Sequence, residues 1–357
     1  YNTVYGSNLN NAANYQNLTD QLDISSLADY VITNSFTVCS DWLNYNTGWW
    51  RGLNPEGGHR KWGYILWDND ATFGHYINYT GIPDTTPYAE PCDVETLVEP
   101  WPDINGHMRL LTKLRLNPEF DQYYVTRQAD LMSTVFSCEN MLNYLDSIVN
   151  TIGPEMPRHI QRWGGSMQEW EQNVDKLRDF ITIRCNELPD GLAGCYDLTG
   201  PYPTVLLVEP PGAGAMQVNT LQYNQFPTAT QFFGGVALKL IAQPNAADGY
   251  MFDKWEAQNN TFVTPNSATT FMVQGAPETI VAKFKLASSP VQEPGTQVFP
   301  SVTAFPSVFK NALTVQYDLP EKAVVQLEIY AMLGQKISAL YQSGSAQPAG
   351  PHTLLFE

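Results

Sequence analysis

The stretch Tyr64-Ile65-Leu66-Trp67-Asp68-Asn69-Asp70-Ala71-Thr72-Phe73-Gly74 follows a shorter acidic stretch, Ser40-Asp41-Trp42-Leu43-Asn44-Tyr45-Asn46. Together they decide how the first half of this chain is read. An Asp with an Asn as the fifth residue after it, then an apolar run ending in Asp and turning at Gly, is the pattern that phosphoryl transfer requires. One Asp accepts a hydroxyl proton, while the Asn and the later Asp hold magnesium. On this reading Asp41 is the proton acceptor, Asn46 is a metal ligand, and Asp68 and Asp70 are the candidate carboxylate ligands. Asp41 falls after an apolar helical stretch and before a strand, on a loop where a carboxylate can face a cleft. Alternation along a strand would put Asp68 and Asp70 on one face. Two carboxylates on one face suit a hard, oxygen-seeking cation. Each piece alone is weak, because Asp-Asn-Asp is also a common turn and a common calcium loop. A solvated turn, and calcium bound for rigidity alone, therefore stay open.

Working outward, the spacing of Leu22, Ile24, Leu27, Tyr30 and Val31 predicts a helix over residues 21–34, with Asp23 placed to cap it. Residues 49–53 and 61–66 read as short strands separated by a Gly-rich turn at 54–58. Residues 81–103 are rich in Pro and Thr without a clear period, a length of loop that is often functional. From residue 105 to about 190 the period is helical. Asn117-Pro118 marks a helix start with Pro at the first position. Pro154 and Pro157 bracket a short segment with Arg158, His159, Arg162 and Trp163, and Gly164-Gly165 ends it. Arg158 and Arg162 share a helix face and could meet a phosphate. The plainer reading is a helix packed through Trp163 with its Arg residues in ion pairs. Ser166 with Glu169 resembles a capping box for the last helix.

After residue 197 short alternating runs take over, at 204–208, 236–241, 271–273 and 279–284, separated by Pro, Gly, Asn and Asp clusters. Residues 287–300 have linker composition, and further β segments follow at 313–319, 324–330 and 354–356. The expected fold class is multidomain α+β: a mostly helical region with short strands over 1–197, a β domain over 198–287, a linker over 288–300 and a β domain over 301–357.

The chain has 357 residues, enough for two or three domains. Acidic residues outnumber basic ones 36 to 19, a net charge of −17. Non-specific binding to nucleic acid is excluded on that ground, since it needs clustered Lys and Arg. No apolar run reaches the roughly 18 residues of a membrane span. The five His residues are dispersed without zinc-type spacing. Five Cys residues stand at 39, 92, 138, 185 and 195. Cys185 and Cys195 flank a loop that a disulfide could close; buried or free thiols fit equally well, and the odd count leaves at least one unpaired within a monomer. The sequence opens on Tyr1 and closes on Thr353-Leu354-Leu355-Phe356-Glu357, which reads as an unfinished strand. A piece of a longer chain is expected.

Asp41-Trp42 with Asn46, then Trp67-Asp68 with Asp70 and Thr72-Phe73-Gly74, resembles the core of the CotH family of spore-coat-type protein kinases. Asn117-Pro118-Glu119-Phe120, residues 154–164 and Trp170 to Arg184 extend the resemblance over about residues 15–192. The resemblance implies an atypical kinase fold, of which residues 1–197 would be the C-lobe. It implies transfer of the ATP γ-phosphoryl group, with Mg2+ or Mn2+, to Ser or Thr of secreted proteins. It carries Asp41 over as the catalytic Asp and Asn46 and Asp68 as the metal ligands. The family often has two adjacent Asn residues where this chain has Tyr45-Asn46. The amino-terminal lobe with the nucleotide-gripping Lys and its partner Glu is not in this chain, so the chain alone is expected to be inactive. A non-catalytic surface or adhesive protein with a degenerate kinase-like domain is the alternative.

Residues 249–255 (GYMFDKW) with 279–284 (TIVAKF) resemble the divergent InlB B-repeat, a β module of bacterial surface proteins. Residues 305–315, 325–330, Gly334-Gln335-Lys336 and Gly350-Pro351-His352 resemble the type IX secretion sorting domain. That resemblance implies a partner in the type IX export machinery of Bacteroidetes and a secreted or cell-surface location. Its spacing from Tyr330 to Gln335 predicts a hairpin with Gly at the turn.

Overall fold

The computed structural model describes residues 6–43, 46–97, 104–287, 301–305, 312–330 and 336–356. Tyr45, the proposed linker at 288–300 and the Gly334-Gln335 turn lie outside the described residues. The chain divides into two compact units, Tyr1–Lys285 and Leu286–Glu357.

The first unit begins with α1 (Ala12–Thr19) and α2 (Ile24–Phe36). Asp23 caps α2 by accepting from the N–H groups of Ser25 and Ser26, the role its position predicted. The inward stripe of α2, Leu27, Ala28, Val31, Ile32 and Phe36, is fully buried. Two short strands follow, β1 (Gly48–Trp50) and β2 (Gly63–Ile65), paired antiparallel with Gly48 opposite Ile65. Next come α3 (Ile104–Arg115), α4 (Pro118–Ser133), α5 (Cys138–Ile152), α6 (Met156–Trp163) and α7 (Met167–Cys195). Asn117 caps α4 with Pro118 in its first turn, and Ser166 caps α7, accepting from Glu169 N–H at 3.1 Å. These starts are local chemistry, because a cap needs only residues within one turn.

Two corrections arise in α7. Residues 186–194 are not a loop but continue this helix, with Pro189 inside it. Accordingly Cys185 does not pair with Cys195. The disulfides are Cys92–Cys195 and Cys138–Cys185, and Cys39 is free and buried. Cysteines ten residues apart on a helix lie about 15 Å apart along its axis, too far for one bond.

The helical region passes directly into a β sandwich. Its strands are β3 (Thr199–Glu209), β4 (Gly214–Val218), β5 (Leu221–Tyr223), β6 (Thr228–Gly234), β7 (Leu238–Pro244), β8 (Tyr250–Ala257), β9 (Ala268–Phe271) and β10 (Glu278–Leu286). One sheet has the order β6-β3-β10-β8 and the other β5-β4-β7-β9, and β3 and β10 run parallel. The inner faces bury Leu206, Met216, Leu240, Trp255, Phe271 and Ile280. Trp255 keeps its indole N–H satisfied by Asn266 O at 2.9 Å.

The sandwich packs on the helical core. Leu198, Phe233 and Val236 belong to the same buried core as α2 and α4. Buried Asp130 of α4 accepts from Thr220 N–H at 2.9 Å and Thr220 Oγ1 at 2.5 Å, in the tight turn between β4 and β5. Arg127 donates to Thr220 Oγ1 at 2.8 Å and to both carboxylate oxygens of Asp29 on α2. Burial raises the Asp130 pKa against the pull of these donors. Asp130→Ala would leave the Thr220 N–H without its acceptor, at a cost of about 1–3 kcal/mol. The urea midpoint of the variant is expected to fall accordingly, and an unchanged midpoint would show that the two regions do not lean on each other.

The second unit holds β11 (Ser301–Phe305), β12 (Leu313–Leu319), β13 (Gln326–Tyr330), β14 (Lys336–Gln342) and β15 (Gly350–Phe356). They form a three-stranded sheet, β11-β12-β15, and a β13-β14 pair. Leu313, Val315, Tyr317, Leu319 and Val325 make its small core.

Candidate active site

The helix α2 ends in a turn that delivers Asp41. Val38 N–H donates to Ser35 O at 3.2 Å and Cys39 N–H to Asn34 O at 2.9 Å, the paired bonds of a Schellman ending. The residue at the left-handed position of such an ending is normally Gly. Here it is Val38, at φ 51°, a strained conformation for a β-branched side chain. Three more backbone bonds hold the loop that follows. Ser40 N–H donates to Ala71 O at 2.8 Å, Phe73 N–H to Thr37 O at 2.7 Å, and Thr80 N–H to Ser40 O at 2.8 Å. The Thr80 hydroxyl accepts from Trp42 N–H at 3.0 Å. Residues 37–42 and 71–80 are thereby bound together.

The β1-β2 pairing brings the two acidic stretches to one end of the ribbon, since Asn46 precedes β1 and Asp68 follows β2. Asn46 Nδ2 donates to Asp41 O at 2.9 Å and reaches Asp41 Oδ2 at 3.3 Å. Its backbone carbonyl accepts from Tyr30 OH at 3.1 Å. Asp41 Oδ1 is buried and accepts no hydrogen bond from the described residues. Burial raises the Asp41 pKa first, and the negative fields of Asp68 and Asp70 raise it further. So the charges of Asp68 and Asp70 act on Asp41, and Asn46 is hydrogen-bonded to it.

Asp68 and Asp70 do not share a strand face as alternation would have it. β2 stops at Ile65, and Asp68 is left-handed at φ 53°, so the two carboxylates sit in a turn. A chain that leaves the extended region loses the two-residue period. Asn69 between them points inward, donating to Asn34 Oδ1 at 3.2 Å. The turn at Phe73-Gly74 is present, at φ 55° and 73°. Phe73 packs edge-on against Phe180 of α7 with ring centroids 5.8 Å apart.

The Arg158 and Arg162 cluster lies on α6. Arg158 pairs with Glu155 at 3.2 Å, and Arg162 lies over the Trp163 ring at 5.1 Å. Trp163 itself is 69% exposed, so the helix does not pack through it. Several residues that shape the site carry no sequence signal for that role: Tyr30, Ser40, Thr80, Thr47, whose hydroxyl accepts from Tyr30 OH at 3.1 Å and donates to Trp42 O at 2.7 Å, and, behind them, Arg184. A Ser, Thr or Arg that bonds a backbone carbonyl across tens of residues leaves no periodic mark.

The family described as CotH kinase protein matches residues 2–188, just over half of the 357 residues. The chain belongs to that family. A divergent InlB B-repeat domain matches residues 223–288, which span β6 to β10. Neither a curated protein nor a solved structure matches the chain. Membership of the CotH kinase family implies use of ATP and a divalent metal in general terms. Among the described residues, no three His, Cys, Asp or Glu side chains converge to hold a metal ion. That donor set does not make a protein-only cage. It does suit magnesium, which usually takes one or two carboxylates and fills its shell with phosphate oxygens and water. Asn46 fits as well, because its amide nitrogen faces Asp41 and its oxygen stays outside that pair. No helix among the described residues is long and apolar enough to cross a membrane.

Proposed function

We propose that this CotH kinase family member transfers the ATP γ-phosphoryl group to a Ser or Thr hydroxyl of an extracellular protein. The observation that carries the reading is Asp41: a carboxylate oxygen buried without a donor among the described residues, beside Asn46, at the ribbon end that also bears Asp68 and Asp70. A carboxylate with a vacant acceptor and a raised pKa is equipped to receive a hydroxyl proton. Asp68 and Asn46, with Asp70 as the further carboxylate, would hold magnesium. That ion neutralises charge on the phosphates when bound. Left-handed residues at Val38, Asp68 and Phe73 crowd this one site, as strained backbone tends to do where geometry serves chemistry.

Two disulfides support an oxidising, extracytoplasmic location. Export through type IX machinery, with residues 301–357 as its sorting domain, remains part of the proposal and rests on the sequence resemblance. The second reading is a surface protein whose kinase-like domain is non-catalytic. It is favoured by Tyr45 standing where the family often has the first of two adjacent Asn residues.

Phosphate transfer from labelled ATP to co-secreted proteins, measured with the complete protein, separates the two. Asp68→Ala is expected to weaken magnesium–ATP binding at least tenfold, in line with the loss of a metal contact, while the circular dichroism spectrum stays the same. Equal binding and equal transfer in both proteins would remove Asp68 from the site.

A further inference from the structure

Arg184 of α7 is 1% exposed, and no carboxylate is among its hydrogen-bond partners. Its guanidinium is instead spent on backbone carbonyls from two separate segments. Nε donates to Phe36 O at 3.1 Å and Nη2 to Ser35 O at 3.0 Å, both in the last turn of α2. Nη1 donates to Ala89 O and reaches Pro87 O at 3.4 Å. Burying a cation is costly, and burial lowers the Arg184 pKa to about 10, with the nearby negative charges of Glu90, Asp84 and Asp93 offsetting part of that cost. The group still stays charged at any physiological pH.

Its place explains the cost. The last carbonyls of a helix lack intrahelical partners and carry the negative end of the helix dipole. In α2 those carbonyls stand immediately before strained Val38 and the Asp41 loop. The same turn is tied to the 87–91 segment a second time, by Ser35 Oγ donating to Pro91 O at 2.6 Å. On the α7 side, Gly191 lets Pro91 approach so closely that an added Cβ would lie 2.7 Å from its Cδ. A planar fork with five donors can span two carbonyl pairs at once, which an ammonium cannot do.

We propose that Arg184 is a positioning residue for Asp41: it fixes the end of α2 against residues 87–89 and so sets where the Asp41 loop begins. The role in catalysis rests on the phosphoryl-transfer reading; the role in holding the loop does not.

The test uses hydrogen exchange on the full chain, comparing wild type with Arg184→Lys and Arg184→Gln. The amides to follow are Ser40, Phe73 and Thr80, whose bonds stitch the site loop. Ala242, bonded to Ser267 O in the β sandwich, is the control. Both variants are expected to exchange at least tenfold faster at the three site amides and within twofold of wild type at the control. Unchanged protection at the site amides, or an equal loss at all four, overturns the proposal. In the transfer assay the variants should lose kcat at least tenfold with little change in KM for ATP. If wild type transfers no phosphate while the exchange result holds, the kinase reading fails and the positioning role stands.

Discussion

Asp41→Asn is expected to lower phosphoryl transfer by about 10²–10⁴-fold, the usual contribution of a positioned proton acceptor. Asn has nearly the same shape but cannot take the hydroxyl proton. The loss should fall on kcat, since a proton acceptor acts in the transfer step and not in nucleotide binding. Stability should move the other way. The folded-state pKa of Asp41 is raised by burial and by Asp68 and Asp70. The ionised form is therefore the costly one in the folded protein. That cost is fully present above the folded pKa and is relieved as pH falls through it towards the unfolded value. Asn never carries the charge, so the variant should melt no lower than wild type at pH 7. An NMR titration of the metal-free protein checks the electrostatic premise. The Asp41 carboxyl should titrate above the ordinary Asp range, and Asp70→Asn should bring it down. Full transfer by Asp41→Asn would end its assignment as the proton acceptor.

Removing the Cys92–Cys195 disulfide is expected to cost about 4 kcal/mol. The bond closes a sequence separation of 103 residues, and the second disulfide, Cys138–Cys185, lies nested inside it. Loop-closure entropy grows with the logarithm of loop length. With the inner bond intact the outer one still constrains on the order of 50–60 residues of free chain. The double variant Cys92→Ser with Cys195→Ser should therefore melt on the order of 10 °C lower. The consequence reaches the site, because Cys92 adjoins the 87–91 segment that Arg184 and Ser35 hold. Peptide mapping of the unreduced protein tests the pairing itself. A Cys185–Cys195 peptide, or a melting point within 2 °C of wild type, would contradict the structure.

How much of this was legible beforehand follows one physical division. Helix caps at Asp23, Asn117 and Ser166, the Gly164 stop and the alternating strands were all visible, because each depends on neighbours within a turn or a strand. The contact between Asn46 and Asp41 was within reach of the sequence for a related reason: a fifth-residue interval on one loop is short-range information. The shared strand face of Asp68 and Asp70 was misread because one left-handed residue breaks the period, and spacing cannot announce a positive φ at an Asp.

The order of the elements, the acidic stretches and the family pattern they resemble are written in residue order. Which cysteines pair, how the sandwich grips α4 through Asp130, and what holds the Asp41 loop emerge from contacts across the fold. Arg184 bonds carbonyls 148 and 149 residues away at Phe36 and Ser35. A backbone carbonyl is the same at every residue, so nothing in the identity of Phe36 or Ser35 names its partner. Such contacts exist only once the chain has folded and buried the charge beside them.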